Sequence, residues 1–339
     1  MKPTLVIDFD ALLFKACCAV EKRSVKIINK ITQEEFVRPN ISTFWGRGKE
    51  IGAELLEINK SRNTPYEKDD FIVFDIQEVD DFSIACNIVK SAIKKYCYHL
   101  NTSKWYGYVG GQGNFRETEA VLMPYKQNRS ELIKPIYYDQ MKDYLVNTLG
   151  VEYVNNKEVD DQISSDCYSG YKAWVKTKSN KDKFIGVVED KDYRGNPGWF
   201  YYPEKSFEEF LIEDFGSLVC DEGVIFGQGR LWKYYQFFGD KTDGFSANYH
   251  SKVKFGDISA YKALKDCHTD KMCLESIVQT YKMLYPEPFE IINFRGDLVE
   301  VNYFNMLQEN ILFAHLERWE GDRIDLKTLL DNLGVKYDN

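Results

Sequence analysis

The chain has 339 residues, 44% of them hydrophobic and 29% charged, with a net charge of −9. That balance describes a soluble globular chain of about two domains. No apolar run approaches the roughly 18 residues that a transmembrane helix needs, and the opening MKPTLVIDFD, with an acid inside its short apolar run, reads as a first strand and not as a signal peptide.

Taken in order, TLVIDF (4–9) is an apolar run of buried-strand type, followed by a helix from Ala11 to about Val20. Residues 24–37 alternate weakly, as in a hairpin. Residues 39–70 are polar, contain Gly46, Gly48, Gly52 and Pro65, and read as an irregular insertion. FIVF (71–74) is a short strand, and residues 80–96 carry apolar positions at helical spacing. WYGYV (105–109) is the next strand and ends in the glycine turn GGQG (110–113). Residues 115–134 are basic and mixed. A helix is expected over 136–149, a strand at 151–154, a helix from about Val159 to Trp174, and strands at 184–189 and 199–202. Residues 230–238 are helical, and GDKTDG (239–244) opens a helical C-terminal part. The alternation of strands and helices through residue 202 implies an α/β domain with a largely parallel central sheet flanked by helices.

The eight cysteines form no CxxC pair, and the four histidines complete no zinc spacing. Free thiols in a reducing cytoplasm are the expectation.

Four acidic clusters stand out: IDFD (7–10), EVDD (158–161), EDKD (189–192) and GDKTD (239–243). Like charges a few ångströms apart raise one another's pKa unless something positive lies between them. Hard oxygen donors in such a cluster select Mg²⁺ or Mn²⁺. Asp8 ends the first strand, where sites in open α/β sheets form. Asp190 and Asp192 share one side if their strand continues. Glu158, Asp160 and Asp161 converge only if Glu158 lies in the loop before its helix. The clusters hold ten acids, so the rest of the chain nets +1. Residues 94–142 are locally +4 and residues 250–265 locally +3. Two basic zones thus flank an acidic centre, a pattern suited to a phosphate backbone.

IDFD, NFR (114–116), PYKQNR (124–129), EVDD, EDKD and GDKTDGFS (239–246) together resemble the phage 5′→3′ exonucleases of the flap endonuclease family, to which the N-terminal nuclease domain of bacterial DNA polymerase I also belongs. The resemblance covers about residues 1–20 and 105–265. It implies a PIN-like 5′ nuclease domain over 1–226, with an insertion at about 21–100 and a basic arch at about 115–135, and a helical DNA-binding region over 227–339. It implies a monomeric, cytoplasmic nuclease with two Mg²⁺ or Mn²⁺ ions, acting on duplex DNA with a 5′ end, flap or single-stranded 5′ end, or on an RNA–DNA hybrid, and leaving 5′-phosphates. A role in phage DNA replication follows from the resemblance alone. By position Asp8, Glu158, Asp160, Asp161, Asp190 and Asp192 are implied as metal ligands or their water-mediated partners, and Asp240 and Asp243 as ligands of the second metal. Two such ions, roughly 4 Å apart, activate water and stabilise the leaving oxygen.

Tyr125, Lys126 and Arg129 resemble the family's arch residues. A helix here would aim Lys126 and Arg129 at one phosphodiester, with Tyr125 stacked on an unpaired base; the alternative is a plain basic surface helix. Arg116 has a similar phosphate-facing reading. FGDISAYKAL (255–264) resembles the second half of a helix–three-turn–helix, in which Gly256 opens a helix whose N-terminus binds backbone phosphate, assisted by Lys252, Lys254 and Lys262 and by a K⁺ ion. Two departures stand against this. The turn lacks its second glycine and carries Asp257, and the loop GGQG lacks the acid that the family usually has there. Either more water or another acid such as Asp10 substitutes, or activity is reduced. GGQG also lacks the full GxGxxG dinucleotide pattern. Two other functions remain open: a DNA-binding protein with a decayed metal site, and a haloacid-dehalogenase-like phosphatase. The phosphatase would use Asp8 as nucleophile and Asp10 as general acid, but has Leu12 where that motif has Thr.

Overall fold

The computed structural model describes residues 2–47, 52–129 and 132–337; Gly48 and residues 130–131 of the basic arch fall outside it. Strand β1 (Thr4–Asp8) runs directly into helix α1 (Phe9–Ala19). The helix starts there because the Asp8 carboxylate accepts the backbone N–H groups of Asp10 (2.9 Å) and Ala11 (3.5 Å), which capping satisfies. Then come β2 (Glu21–Asn29), β3 (Glu35–Arg38), α2 (Ile41–Trp45), α3 (Ala53–Arg62), β4 (Phe71–Val79) and α4 (Phe82–His99). They are followed by β5 (Trp105–Gly110), α5 (Phe115–Glu119), α6 (Tyr138–Leu149), β6 (Glu152–Val154), α7 (Val159–Thr177), β7 (Phe184–Val187), β8 (Gly198–Tyr201) and β9 (Phe210–Ile212). The remainder comprises the hairpin β10 (Ser217–Asp221) and β11 (Val224–Gln228), α8 (Gly229–Gln236), the short hairpin β12 (Gly239–Asp240) and β13 (Phe245–Ser246), α9 (Asp257–Leu264), α10 (Asp270–Leu284), the hairpin β14 (Phe289–Ile292) and β15 (Leu298–Val301), α11 (Tyr303–Ala314) and α12 (Leu326–Leu333).

By their contacts these elements form two compact units, Met1–Leu12 with Ala92–Ile133 and Leu145–Asn339, and Leu13–Ser91 with Lys134–Tyr144. Residues 227–339 fall in the first unit, together with the central sheet. That sheet has the order β6-β5-β1-β7-β8-β9 and is parallel except for β9, which pairs antiparallel with β8. β1 and β7 are near-continuous apolar runs and almost wholly buried, as strands covered on both faces are. The chain leaves β1 towards β5 on one side and leaves β7 towards β8 on the other. The carboxyl ends of β1 and β7 are therefore the switch point of the sheet, where open α/β folds place their sites.

The second unit is built on the antiparallel sheet β3-β2-β4. Residues 39–70, expected to be irregular, contain α2 and α3 instead. Asn40 caps α2 by accepting the N–H of Thr43, and Phe44 and Leu55 bury themselves beside Val25, Ile27 and Phe71. Polar composition hid two short helices, of which Ile41, Phe44, Trp45, Leu55 and Ile58 pack on one core. GDKTDG likewise forms the β12–β13 hairpin, not the start of a helix, because Gly239 (φ 126°) and Gly244 (φ 81°) take conformations that helical residues do not. The C-terminal part is helical in α8 to α12 but also carries β14–β15.

All eight cysteines are unpaired. No helix among the described residues is long and apolar enough to cross a membrane.

Helix α7 packs against β7 through Gly170. A Cβ at that position would lie 2.7 Å from the Cβ of Phe184 and 3.0 Å from its backbone nitrogen. Alanine favours a helix over glycine by about 1 kcal/mol, but overpacking against so rigid a neighbour costs about 1–3 kcal/mol. Gly170→Ala is therefore expected to lower stability on balance, read as a smaller urea midpoint at unchanged slope.

Candidate functional site

A pocket of about 500 Å³ opens at the switch point. Asp8, Asp10, Glu158, Asp160, Glu189 and Asp190 line it with acid, and Lys126, Arg129 and Lys157 with base. Gly110, Gly111, Gly113 and Asn114 of the loop after β5 complete the wall. Three of the four sequence clusters, IDFD (7–10), EVDD (158–161) and EDKD (189–192), thus meet at one place.

Glu158 adopts an extended conformation as the N-cap of α7, so it precedes the helix and Asp160 can face the same pocket. The neighbouring Asp161 does not join them. It is fully buried, and both its oxygens are held by the Arg116 guanidinium at 2.6 and 2.8 Å. It also accepts the backbone N–H groups of Glu317 (3.0 Å) and Glu158 (3.2 Å). Asp161 supports the site from behind and is not one of its ligands. Arg116 is equally buried and also donates to the carbonyl of His315 at 2.6 Å, so it does not face phosphate.

The arch residues depart from a regular helix. Lys126 has φ 51° and is followed by a single 3₁₀ turn, Gln127–Arg129. Even so, Lys126 Nζ lies 2.6 Å from Glu158 and 3.5 Å from Asp243, and Arg129 also pairs with Asp243. Both cations reach the acidic side by this route. Tyr125 is buried, with its ring 5.0 Å from that of Phe313 and its hydroxyl donating to Glu158 at 3.0 Å. Its ring is committed to the core and is not free to stack on a base. Ahead of it, the buried Glu309 accepts the N–H groups of Val121, Leu122 and Met123, which fixes the base of the arch.

β7 ends at Val187, so Asp190 and Asp192 do not lie on a continued strand. Asp190 lines the pocket, whereas Asp192 starts a 3₁₀ turn and accepts the Gln236 amide at 2.6 Å. Asp240 pairs with Lys191. Asp192, Asp240 and Asp243 therefore sit in a bordering network and not in the pocket wall. Gly256 caps α9 without a side-chain bond, and Lys252, Lys254 and Lys262 are exposed around it. The preceding residues 247–250 form turns, not a first helix.

The electrostatics divide these acids in two. Burial opposes the charge of Glu158, but Lys126 and Arg116 outweigh it and lower its pKa; Lys191 does the same for buried Asp240 and Arg116 for Asp161. Asp8 is pushed up to about 7 by burial and then by Asp10. Burial, then Asp8 and Asp190, push Asp160 well above the usual carboxylate range, and Asp192 follows through burial and Asp190. Among the described residues no three acids, histidines or cysteines stand together as a ready metal cage. The donor chemistry nevertheless fits a hard divalent cation. Asp8, Asp160 and Asp190 offer oxygen only, and the Tyr193 hydroxyl lies 2.6 Å from Asp160 and 3.5 Å from Asp8, so one position reaches both.

Tyr193, Gln236, Glu309 and Lys157 were not anticipated from the sequence. Only Tyr193 carries a local signal, since it directly follows EDKD. No protein-family model matches this chain, and no curated protein matches it.

Two outcomes follow from the buried support behind the pocket. Arg116→Met leaves Asp161 charged and uncompensated, which costs about 3–5 kcal/mol in denaturant unfolding. His315 bonds to buried Lys233 (2.9 Å) and is pushed down to about 3, first by burial and then by Lys233. The folded state keeps it neutral, while the unfolded chain takes up a proton below about pH 6.5. Its stabilising contribution is complete above that pH and is lost as pH falls towards 3, about 2 kcal/mol of it by pH 5. Urea midpoints should fall more steeply between pH 7 and 5 in the wild type than in His315→Gln.

Proposed function

We propose that this chain is a divalent-metal-dependent 5′ nuclease with a PIN-like fold, related to the phage 5′→3′ exonucleases and flap endonucleases. The observation that carries the reading is the pocket at the sheet's switch point, where Asp8, Asp160 and Asp190 face Lys126 and Arg129. A carboxylate wall opposite a lysine and an arginine suits a phosphodiester, whose charge the cations hold while the acids hold metal. Mg²⁺ or Mn²⁺, when bound, would supply an activated water and neutralise the leaving oxygen. Asp8, Asp160 and Asp190 would hold one ion. Asp192, Asp240 and Asp243 would serve the second, with Lys191 and Arg129 yielding their present partners. Lys126 and Arg129 would clamp the phosphate, exchanging Glu158 and Asp243 for its oxygens.

Duplex DNA would lie towards α9, where the uncapped N-terminus at Gly256 and the exposed Lys252, Lys254 and Lys262 offer backbone contacts. A K⁺ ion at that turn belongs to the same reading. Binding of this kind weakens steeply with salt. Substrates are 5′ ends and flaps of DNA or RNA–DNA hybrid, and products carry 5′-phosphate.

One observation favours a second reading, a DNA-binding protein of the same fold with a silent site: the loop GGQG carries no acid. A 5′-flap duplex labelled separately at each end separates the two in Mg²⁺, Mn²⁺ and EDTA. The nuclease should cut in either metal, and Asp190→Ala should fall to the EDTA background while unfolding like the wild type. Binding without cleavage in both metals would establish the second reading.

A further inference from the structure

Tyr193 reaches Asp160 of the pocket wall with its hydroxyl, and none of the steps above uses it. It sits in the 3₁₀ turn Asp192–Gly195 and is fully buried. Its ring lies 5.9 Å from that of Phe200, in an apolar cluster with Val6, Val159, Ile163 and Leu316. A phenylalanine would fill that cluster equally well. The hydroxyl is therefore an added cost of burial unless its hydrogen bond matters. That bond goes to Asp160 at 2.6 Å, with Asp8 at 3.5 Å.

Four acids around the pocket are paired with cations: Glu158 with Lys126, Asp161 with Arg116, Asp240 with Lys191, and Asp243 with Arg129. Asp8 and Asp160 instead receive their hydrogen bonds from neutral donors, two backbone amides and the Tyr193 hydroxyl. A lysine in the same place would cancel their charge. A phenol donates a hydrogen bond to orient them without bringing a positive charge. We propose that Tyr193 is a positioning residue that holds Asp160 beside Asp8 and so preorganises this pair for a divalent cation. The proposal rests on the metal-nuclease reading and adds a group behind the ligands to it. Loss of such an outer partner typically weakens metal binding about 10–100-fold.

The test uses the full chain. Mn²⁺ is titrated into wild type, Tyr193→Phe and Asp190→Ala by calorimetry, and flap cleavage is followed against Mg²⁺ concentration. Tyr193→Phe should unfold like the wild type in EDTA, bind Mn²⁺ about 10–100-fold more weakly, and need correspondingly more Mg²⁺ for half-maximal cleavage. Its KM for DNA at saturating metal should not move, as it would in a general structural defect. Tyr193→Leu, apolar and smaller, should show the same loss independently of how the ring packs. Wild-type Mn²⁺ affinity in both variants, with the wild type active, overturns the role of Tyr193 alone. A wild type that neither binds Mn²⁺ nor cleaves overturns the nuclease reading and this proposal with it.

Discussion

The buried ion pair between Arg116 and Asp161 is the constraint on which the site depends. Neither side chain touches solvent, and two parallel hydrogen bonds join them. Such a pair is a weak source of net stability, because desolvating both charges costs nearly what their attraction returns. Its effect is geometric. Arg116 belongs to α5, and the chain runs on from it to Lys126 and Arg129. Asp161 belongs to the first turn of α7 and fixes the neighbouring Glu158 and Asp160. The same two side chains bind His315 and Glu317 through their backbone groups. One buried contact therefore sets the spacing between the basic wall, the acidic wall and a C-terminal segment with no evident chemistry of its own.

That arrangement explains how so many carboxylates coexist. Glu158, Asp161 and Asp240 are matched to lysine or arginine, and their charge is stabilised. Asp8 and Asp160 are not matched, and in this structure they share a phenol. Burial raises both pKa values first, and neighbouring acids add to it, Asp10 for Asp8 and Asp8 with Asp190 for Asp160. A fold selected for stability alone would replace one of them with an apolar or amide side chain. Retaining both concentrates unbalanced negative charge at one point of the sheet edge, and a hard cation is the partner that relieves it most directly. Lys126 and Arg129, a few ångströms away, are held in ion pairs that phosphate oxygens can exchange for without a change of charge type.

Much of the fold was legible because parallel strands in this chain are short apolar runs, and Asp8 marks the end of the first by capping the next helix. Three of the four acidic clusters lie together because each closes or opens an element at the carboxyl end of the same sheet, while GDKTD forms a separate hairpin. What the sequence concealed was direction. EVDD shows three acids, but only the structure reveals that Asp161 turns inward to a buried arginine. PYKQNR suggests a helical surface patch, yet Tyr125 faces the core and Lys126 adopts a left-handed conformation. Glu309 and His315 lie some 190 residues from the segments they hold, a distance over which periodicity carries no information. Polar composition at 39–70 masked two helices for a related reason. A short helix needs only one or two buried residues, too few to form a readable pattern.

The loop after β5 shows how a missing residue can mislead. GGQG carries no acid, and by sequence the pocket appears one carboxylate short. In space an acid approaches this loop from α1. Asp10, in the first turn of α1, accepts the N–H of Gly110 at 3.0 Å, and a Cβ on Gly110 would lie 2.9 Å from its other oxygen. The glycine and the aspartate are therefore linked. Any side chain at 110 would have to displace the Asp10 carboxylate, and that carboxylate lines the same pocket. The acidic character of this wall is thus set by which element delivers an acid to it, not by the composition of one loop: Asp10, two residues beyond Asp8, lines the pocket beside the glycines of that loop.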